Sequence, residues 1–222
     1  MKTIAVIPAR GGSKRLPGKN LLQLGGIPLV AHSIKYALAN TDIIADVYVT
    51  TDDEEIKETA IKYGAKVIDR PQHLSGDLEP TSSALQHALE VINDSLIEFV
   101  VLLQPTNPLR PESLLREAYT AFLKSGRDSL FTVSRNHQKL GKIVAGQFKP
   151  YNYTIGQRSQ DLEPLYFENG LLYISGRSTI MAGQVIGTDA FPYETSGLYS
   201  NVDIDTVEDF QYAEYLIGTK LQ

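Results

Sequence analysis

Apolar residues fall first into short unbroken runs. Residues 3–9 (TIAVIPA), 99–103 (FVVLL) and 171–175 (LLYIS) have the length of strands and no polar alternation, as expected of strands covered on both faces. Residues 46–51 (DVYVTT) are β-branched and aromatic and predict a further strand, with shorter ones at 65–69 and 129–134. Between these runs the apolar positions recur at helical spacing. Helices are predicted over 27–40, with Pro28 in the first turn, over 52–63, over 81–93 and over 111–124. Asp52 is the expected cap of the second, with Glu55 three residues on and Gly64 at its end. A last helix is expected from Asp205-Thr206 to Ile217. Strands and helices in alternation predict an α/β fold, a Rossmann-like, mostly parallel sheet sandwiched by helices. The pattern loosens after Arg135: residues 136–168 are rich in Gln, Asn, Gly, Pro and Tyr, with weak strand signals at 142–145. A single domain over 1–222, with an insertion over 136–196 acting as a lid or oligomer arm, is the expected organisation.

Composition narrows the picture. The chain has 222 residues, 42% of them hydrophobic, enough for one sizeable core. It has no cysteine, which excludes disulfides, thiolate chemistry and Cys-type zinc sites. There is no apolar run of membrane-spanning length, and the run Ile4–Ala9 is too short for a signal peptide and is followed by charge. A cytoplasmic location is expected. A net charge of −5 argues against nucleic acid or an anionic membrane as partner. The distribution is uneven: the first 41 residues carry six cations and no acid.

Four of those cations, Arg10, Lys14, Arg15 and Lys19, lie with Gly11, Gly12 and Gly18 in the segment IPARGGSKRLPGKN (7–20), directly after the first predicted strand. Glycine-rich turns after a strand bind phosphate because bare N–H groups can approach the oxygens. The spacing fits neither the Walker A loop nor the G-x-G-x-x-G fingerprint: five residues separate Gly12 from Gly18, and Asn20 stands where a magnesium-binding hydroxyl is needed. The loop has its own logic. Gly11 and Gly12 permit close turning around a triphosphate, Ser13 adds a neutral donor, and Arg10 and Lys19 at its two ends can converge on one polyanion. A solvated basic surface loop is the plainer reading.

The segment resembles the N-terminal signature of the acylneuraminate (CMP-sialic acid and CMP-legionaminic acid type) cytidylyltransferases, cousins of the 3-deoxy-octulosonate cytidylyltransferases. Further segments match in order: TTDD (50–53), DRP (69–71), LLQPTNPLR (102–110), ENGLLYI (168–174) and VDIDTVEDFQYAE (202–214). The resemblance implies that the loop binds the phosphates of CTP, with Lys19 and Arg10 as catalytic cations. It implies nucleotide contacts from Gly11, Gly12, Ser13, Asn20, Arg70 and Thr81, although Thr81 or Ser82 is equally a helix N-cap. It also implies that an acidic nine-carbon sugar is bound by Gln104, Lys142, Arg158 and Tyr173, and that the enzyme is a homodimer. Gln104 follows a buried strand, where ligands of open α/β sheets sit, although QPTNP is also turn chemistry. Phe167 precedes Glu168-Asn169-Gly170 where several members of that family carry a basic residue, so the resemblance does not carry over how the sugar carboxylate is held or which sugar is used.

Asp203 and Asp205 alternate around Ile204, which places both carboxylates on one face of an extended segment. Such a pair suits Mg²⁺ (or Mn²⁺) completed by phosphates and water. The competing reading is that Asp205 caps the last helix, with Asp209 in its first turn; the family resemblance favours the metal. Alternatives for the whole chain are a cytidylyltransferase for 3-deoxy-octulosonate or for a sugar or polyol phosphate, and a non-catalytic nucleotide-sugar-binding protein. The histidines show no metal or triad spacing and carry no expected role.

Overall fold

The computed structural model describes residues 2–219. Its strands and helices follow in the order β1 (Lys2–Pro8), β2 (Gln23–Leu24), β3 (Ile27–Pro28), α1 (Leu29–Leu38), β4 (Asp46–Thr51), α2 (Glu54–Lys62), β5 (Lys66–Asp69), α3 (Thr81–Ile92) and β6 (Ile97–Leu102). They continue with α4 (Leu114–Ser125), β7 (Ser129–Asn136), β8 (Gly141–Val144), β9 (Gln147–Pro150), β10 (Leu165–Gly176), α5 (Arg177–Met181), β11 (Ala190–Glu194) and α6 (Val207–Thr219).

Seven strands form one sheet in the order β11-β7-β10-β6-β1-β4-β5. The pairs β1–β4, β1–β6, β4–β5 and β7–β11 are parallel, and β10 runs antiparallel to both β6 and β7. The strand alternation explains the two-sided core. Ala5 and Ile7 face α1, α2 and α4, where they meet Val30, Ile34, Ile56, Leu115 and Phe122. Ile4 and Val6 face the opposite layer, with Leu85 and Leu89 of α3 and Ile180 of α5. Both faces of β1 are thereby buried, the physical reason its sequence shows no polar alternation. A third cluster joins Leu16 of the basic loop, Leu24, Leu29, Val202, Ile204 and Leu216 of α6. It ties the loop after β1 to the segment before α6.

Several boundaries differ from expectation. Asp53, not Asp52, caps α2: its carboxylate accepts the Ile56 N–H at 3.0 Å. Helix α4 begins at Leu114 rather than 111, because Pro111 heads a turn closed by the Leu114 N–H. Thr206 opens α6 with Asp209, an exchange of side-chain and backbone bonds over T-x-x-D that corresponds to a capping box. The run 171–175 is the inner half of a twelve-residue strand whose register shifts between Glu168 and Tyr173. Strand β11 escaped the sequence reading because Pro192 interrupts it, which an edge strand tolerates. Of the span 136–196, β10, α5 and β11 belong to the main domain, so the excursion narrows to 137–164, which carries the β8–β9 hairpin.

Candidate active site

The carboxyl ends of the parallel strands open onto a cleft of about 390 Å³, the position where open α/β sheets bind ligands. It is lined by Pro8 at the end of β1, Arg70 after β5 and Gln104 after β6. Arg10, Ser13, Lys14, Arg15, Lys19 and Asn20 of the basic loop, the segment Leu74–Asp77, Glu79–Thr81, and Asp203 and Asp205 complete it. Loop and carboxylate pair share one cleft although more than 180 residues separate them in the chain.

The loop is built to present both ends together. Asn20 is buried and its amide donates to the Arg10 carbonyl at 2.9 Å, drawing Lys19 toward Arg10. Gly11 is required by proximity: a Cβ there would lie 2.5 Å from the Asp53 Oδ2, and the Gly11 N–H donates to Asp52 at 3.1 Å. A Cβ at Gly12 would meet nothing within 4 Å, so this turn faces open space. Gly18 takes a left-handed φ of 65°, which starts the turn that carries Lys19 and Asn20.

The four cations have acidic partners that the local sequence does not show. The Lys19 ammonium donates to the Ile204 carbonyl at 2.8 Å and to Asp205 Oδ1 at 2.9 Å, while Arg15 takes Asp205 Oδ2 at 2.6 Å. Arg10 lies 3.0 Å from Asp77 Oδ1, and Lys14 pairs with the other oxygen of the same carboxylate. Two distant acids thus pair with the four cations of a segment that holds no acid of its own.

Asp205 does not cap α6, since Thr206 and Asp209 do; its carboxylate turns into the cleft instead. Burial pushes the Asp203 carboxyl above the usual range; the Thr106 hydroxyl pulls it down, and Asp205 adds repulsion. Both Asp203 and Asp205 line the cleft, so the donor set open to a cation there is a pair of carboxylates. Among the described residues no cluster of three or more His, Cys, Asp or Glu gathers. That donor set suits a hard ion completed by phosphate and water rather than an all-protein cage.

Arg70 is buried against the cleft, and neither its Nε nor one terminal nitrogen has a hydrogen-bond partner. Burial lowers the tendency of this guanidinium to hold its proton, nearby Asp52 raises it, and Arg10 adds repulsion. A buried guanidinium with spare donors is costly unless an acceptor reaches it. Thr81 begins α3, which has no side-chain cap, and lines the cleft.

Gln104 presents its side chain to the cleft while its carbonyl is fixed by Arg110 at 2.8 Å and by Ser33 at 3.4 Å. Arg110 is buried, with further bonds to the Leu171 carbonyl at 2.6 Å and Ser33 Oγ at 3.0 Å. Burial pushes it down to about 10, so it remains charged near neutrality. Asn107, 1% exposed, donates to the carbonyls of Val202 and Asn169 at 2.9 and 3.1 Å. It pins the segment before Asp203, and Asn169 of β10, to the loop after β6.

The other residues expected on the sugar side are not brought to this cleft. Tyr173 is buried in the sheet core behind Asp203, and its hydroxyl donates to Glu168 at 2.5 Å. Burial and Glu168 together push this phenol strongly upward. Lys142 lies on the exposed β8–β9 hairpin, and Arg158 is spent on Asp161 at 2.7 Å. Segment order along a chain does not define which side of a strand a residue takes, and these three positions do not line the cleft. Asp77, Asp52, Asn107 and Arg110 went the other way. They shape the site through long-range contacts: Asp52, Asn107 and Arg110 lie within the TTDD and LLQPTNPLR segments, whereas no local motif marks Asp77.

Among the described residues no helix is long and apolar enough to cross a membrane. A family model described as "Cytidylyltransferase" matches residues 4–221. The chain is 32% identical over 224 aligned positions to a pseudaminic acid cytidylyltransferase of Campylobacter jejuni, covering 97% of this chain and 96% of the relative. It is 34% identical to an N-acylneuraminate cytidylyltransferase of Streptococcus agalactiae, covering 95% of this chain and 52% of the relative. The fold matches a CMP:2-keto-3-deoxy-manno-octonic acid synthetase complexed with CTP, with TM-score 0.72, 19% identity and coverage of 99% and 100%. The family match along almost the entire chain, on a fold that gathers a basic glycine turn and a carboxylate pair in one cleft, establishes that the chain belongs to the cytidylyltransferase family.

Proposed function

We propose that the protein transfers CMP from CTP to the anomeric hydroxyl of an acidic nine-carbon sugar, releasing pyrophosphate. The observation that supports this reading is the meeting of Lys19 with Asp205 at 2.9 Å, which brings the basic loop and the carboxylate pair into one cleft where both could act on the same triphosphate. The two relatives act on different nine-carbon acids at nearly equal identity, so similarity supports the sugar class and not one sugar.

In this reaction the sugar hydroxyl attacks the α-phosphate in line, and the enzyme contributes positioning and charge neutralisation. Lys19 bears on the α-phosphate. Arg10, Arg70, Ser13 and the backbone N–H group at Gly12 hold the phosphate chain and nucleotide, with Thr81 beside them; the Gly11 N–H is engaged by Asp52 and acts by holding the turn. Asn20 acts by tying the loop ends rather than by reaching the nucleotide. Gln104, whose backbone is locked by Arg110, orients the sugar or base through its amide. Asp203 and Asp205 would hold Mg²⁺ (or Mn²⁺), whose chemistry when bound is to neutralise phosphate charge.

A homodimer is part of the same proposal. Its support is the row of exposed apolar side chains on the excursion, with Ile143 79% exposed, Phe148 53% and Tyr151 69%, more than an isolated hairpin leaves in water. A cytoplasmic location accords with a substrate made of nucleotide and free sugar acid. The deciding experiment measures pyrophosphate release from CTP with sialic, legionaminic, pseudaminic and 3-deoxy-octulosonic acids in parallel. Turnover with at least one nine-carbon acid is expected. Release with none of them, or with the eight-carbon acid alone, overturns the assignment.

A further inference from the structure

Asp77 lies in the connection between β5 and α3, 67 residues from Arg10. Its two carboxylate oxygens divide the front of the basic loop between them: Oδ1 is 3.0 Å from an Arg10 nitrogen, and Oδ2 takes the Lys14 ammonium. The same Arg10 nitrogen also donates to the Ser75 carbonyl at 3.4 Å. The rear of the loop is held separately, Arg15 and Lys19 by Asp205. One side-chain carboxylate thus offers two cations the kind of oxygens that a phosphate would offer them.

The segment that carries Asp77 is lightly anchored. It consists of a short 3-10 turn over Gln72–Leu74, a turn at Gly76 closed by the Glu79 N–H at 3.3 Å, and Pro80 before α3. Leu78 is 97% exposed, so little apolar burial holds the segment in place. The Asp77 side chain is itself 35% exposed. Exposed ion pairs are weak and exchange readily for a stronger anion.

We propose that Asp77 is an internal anion that competes with the pyrophosphate end of the triphosphate for Arg10 and Lys14, setting nucleotide affinity and favouring pyrophosphate release. The proposal rests on the nucleotide reading above. With Lys19 assigned to the α-phosphate, Arg10 and Lys14 are left for the remaining phosphates, and only ligands that carry those phosphates must displace Asp77. CMP, with its single phosphate, need not. After transfer, return of the carboxylate to both cations opposes rebinding of the leaving group.

The test is the Asp77→Asn substitution, with Asp77→Ser as a second variant and Glu79→Gln as a control that removes one charge from the same segment and the same cleft. CTP, CMP and inorganic pyrophosphate are titrated calorimetrically into each purified protein, and thermal unfolding checks the fold. Both Asp77 variants should bind CTP and pyrophosphate about fivefold more tightly, with CMP changed by less than about twofold. Pyrophosphate should become the stronger product inhibitor, and the gain should shrink as salt is raised. If the parent protein binds CTP but the Asp77 variants bind it no better, the competition is absent and the nucleotide reading stands. An equal gain in Glu79→Gln reduces the effect to general charge and overturns the role of Asp77. A parent protein that binds no CTP overturns both readings.

Discussion

Lys19 is only 11% exposed at its side chain and is held by one carbonyl and one carboxylate. Its removal leaves Arg15 on Asp205, while the proposed α-phosphate contact disappears. Lys19→Ala should therefore lower kcat by about 10²-fold and shift unfolding stability by about 1–3 kcal/mol, the cost of losing a largely buried donor to the Ile204 carbonyl. Steady-state pyrophosphate release and urea denaturation measure the two effects; a wild-type rate removes Lys19 from the chemistry. Asp203 is the complementary case. Asp203→Asn relieves a buried, repelled carboxylate and so should not destabilise the protein. It should raise the Mg²⁺ concentration needed for half-maximal rate by at least about tenfold, since one of the two proposed charged ligands is gone. An unchanged magnesium titration would show Asp203 to be structural. Residue identities of this kind were legible early: the cations and the Asp-x-Asp spacing are local features. The partners of the cations were not, because Asp77 and Asp205 reach them only through the fold.

Elements fix the approach distances. The turn after β1 packs against the start of α2, and Gly11 has no room for a side chain beside Asp53. Gly11→Ala must displace the carboxylate that caps Ile56, a cost of about 1–2 kcal/mol. In an Asp53→Ala background the cap is already gone, and the same substitution should cost clearly less. Thermal denaturation of the four proteins of this double-mutant cycle measures the coupling, and full additivity would separate the turn from the cap. The boundary errors at α2 and α4 also arise at this scale. Asp52 and Asp53 are equivalent as sequence, and only the nearby Gly11 N–H decides that Asp52 serves the loop and Asp53 the helix. The capping box of α6 is likewise what frees Asp205 for the cleft.

At the scale of the molecule, the two ends of the sheet carry different electrostatics. Away from the cleft, Lys2 bridges Asp46 and Asp94 at 3.0 Å each, and Lys66 also binds Asp46 at 2.5 Å. Burial raises the Asp46 carboxyl, but the bonds from Lys66 and Lys2 outweigh it and hold the group below its ordinary value. A depressed carboxyl stabilises the fold fully above its unfolded pKa of about 4 and loses that contribution as pH falls through its lower folded value. Asp46→Asn should therefore be less stable than the parent at pH 7, by at most about 1 kcal/mol because the pairs reach solvent. The difference should close in acid; urea denaturation across pH checks it, and a constant gap would exclude the pairing. Assembly belongs to this scale too. Ile143→Asp combined with Phe148→Asp should convert the proposed dimer to a monomer in sedimentation equilibrium, and a mass unchanged by the double substitution would move the interface elsewhere.

The unbroken apolar runs and the helical spacing were sufficient for the strand–helix order and for a sheet buried on both faces, because burial of the backbone imposes those patterns residue by residue. The glycine turn, its cations and the Asp-x-Asp pair were readable for the same reason: each is complete within a few neighbouring positions. Their convergence was not. It depends on the apolar cluster of Leu16, Leu24, Val202, Ile204 and Leu216, which docks the loop against the chain before α6, and on Asn107 and Arg110 fastening carbonyls of β10 and of Val202 to the loop after β6. Contacts between distant positions leave no periodic trace along the chain. Only packing could decide that Asp77 and Asp205 oppose the basic loop while Tyr173 turns into the core.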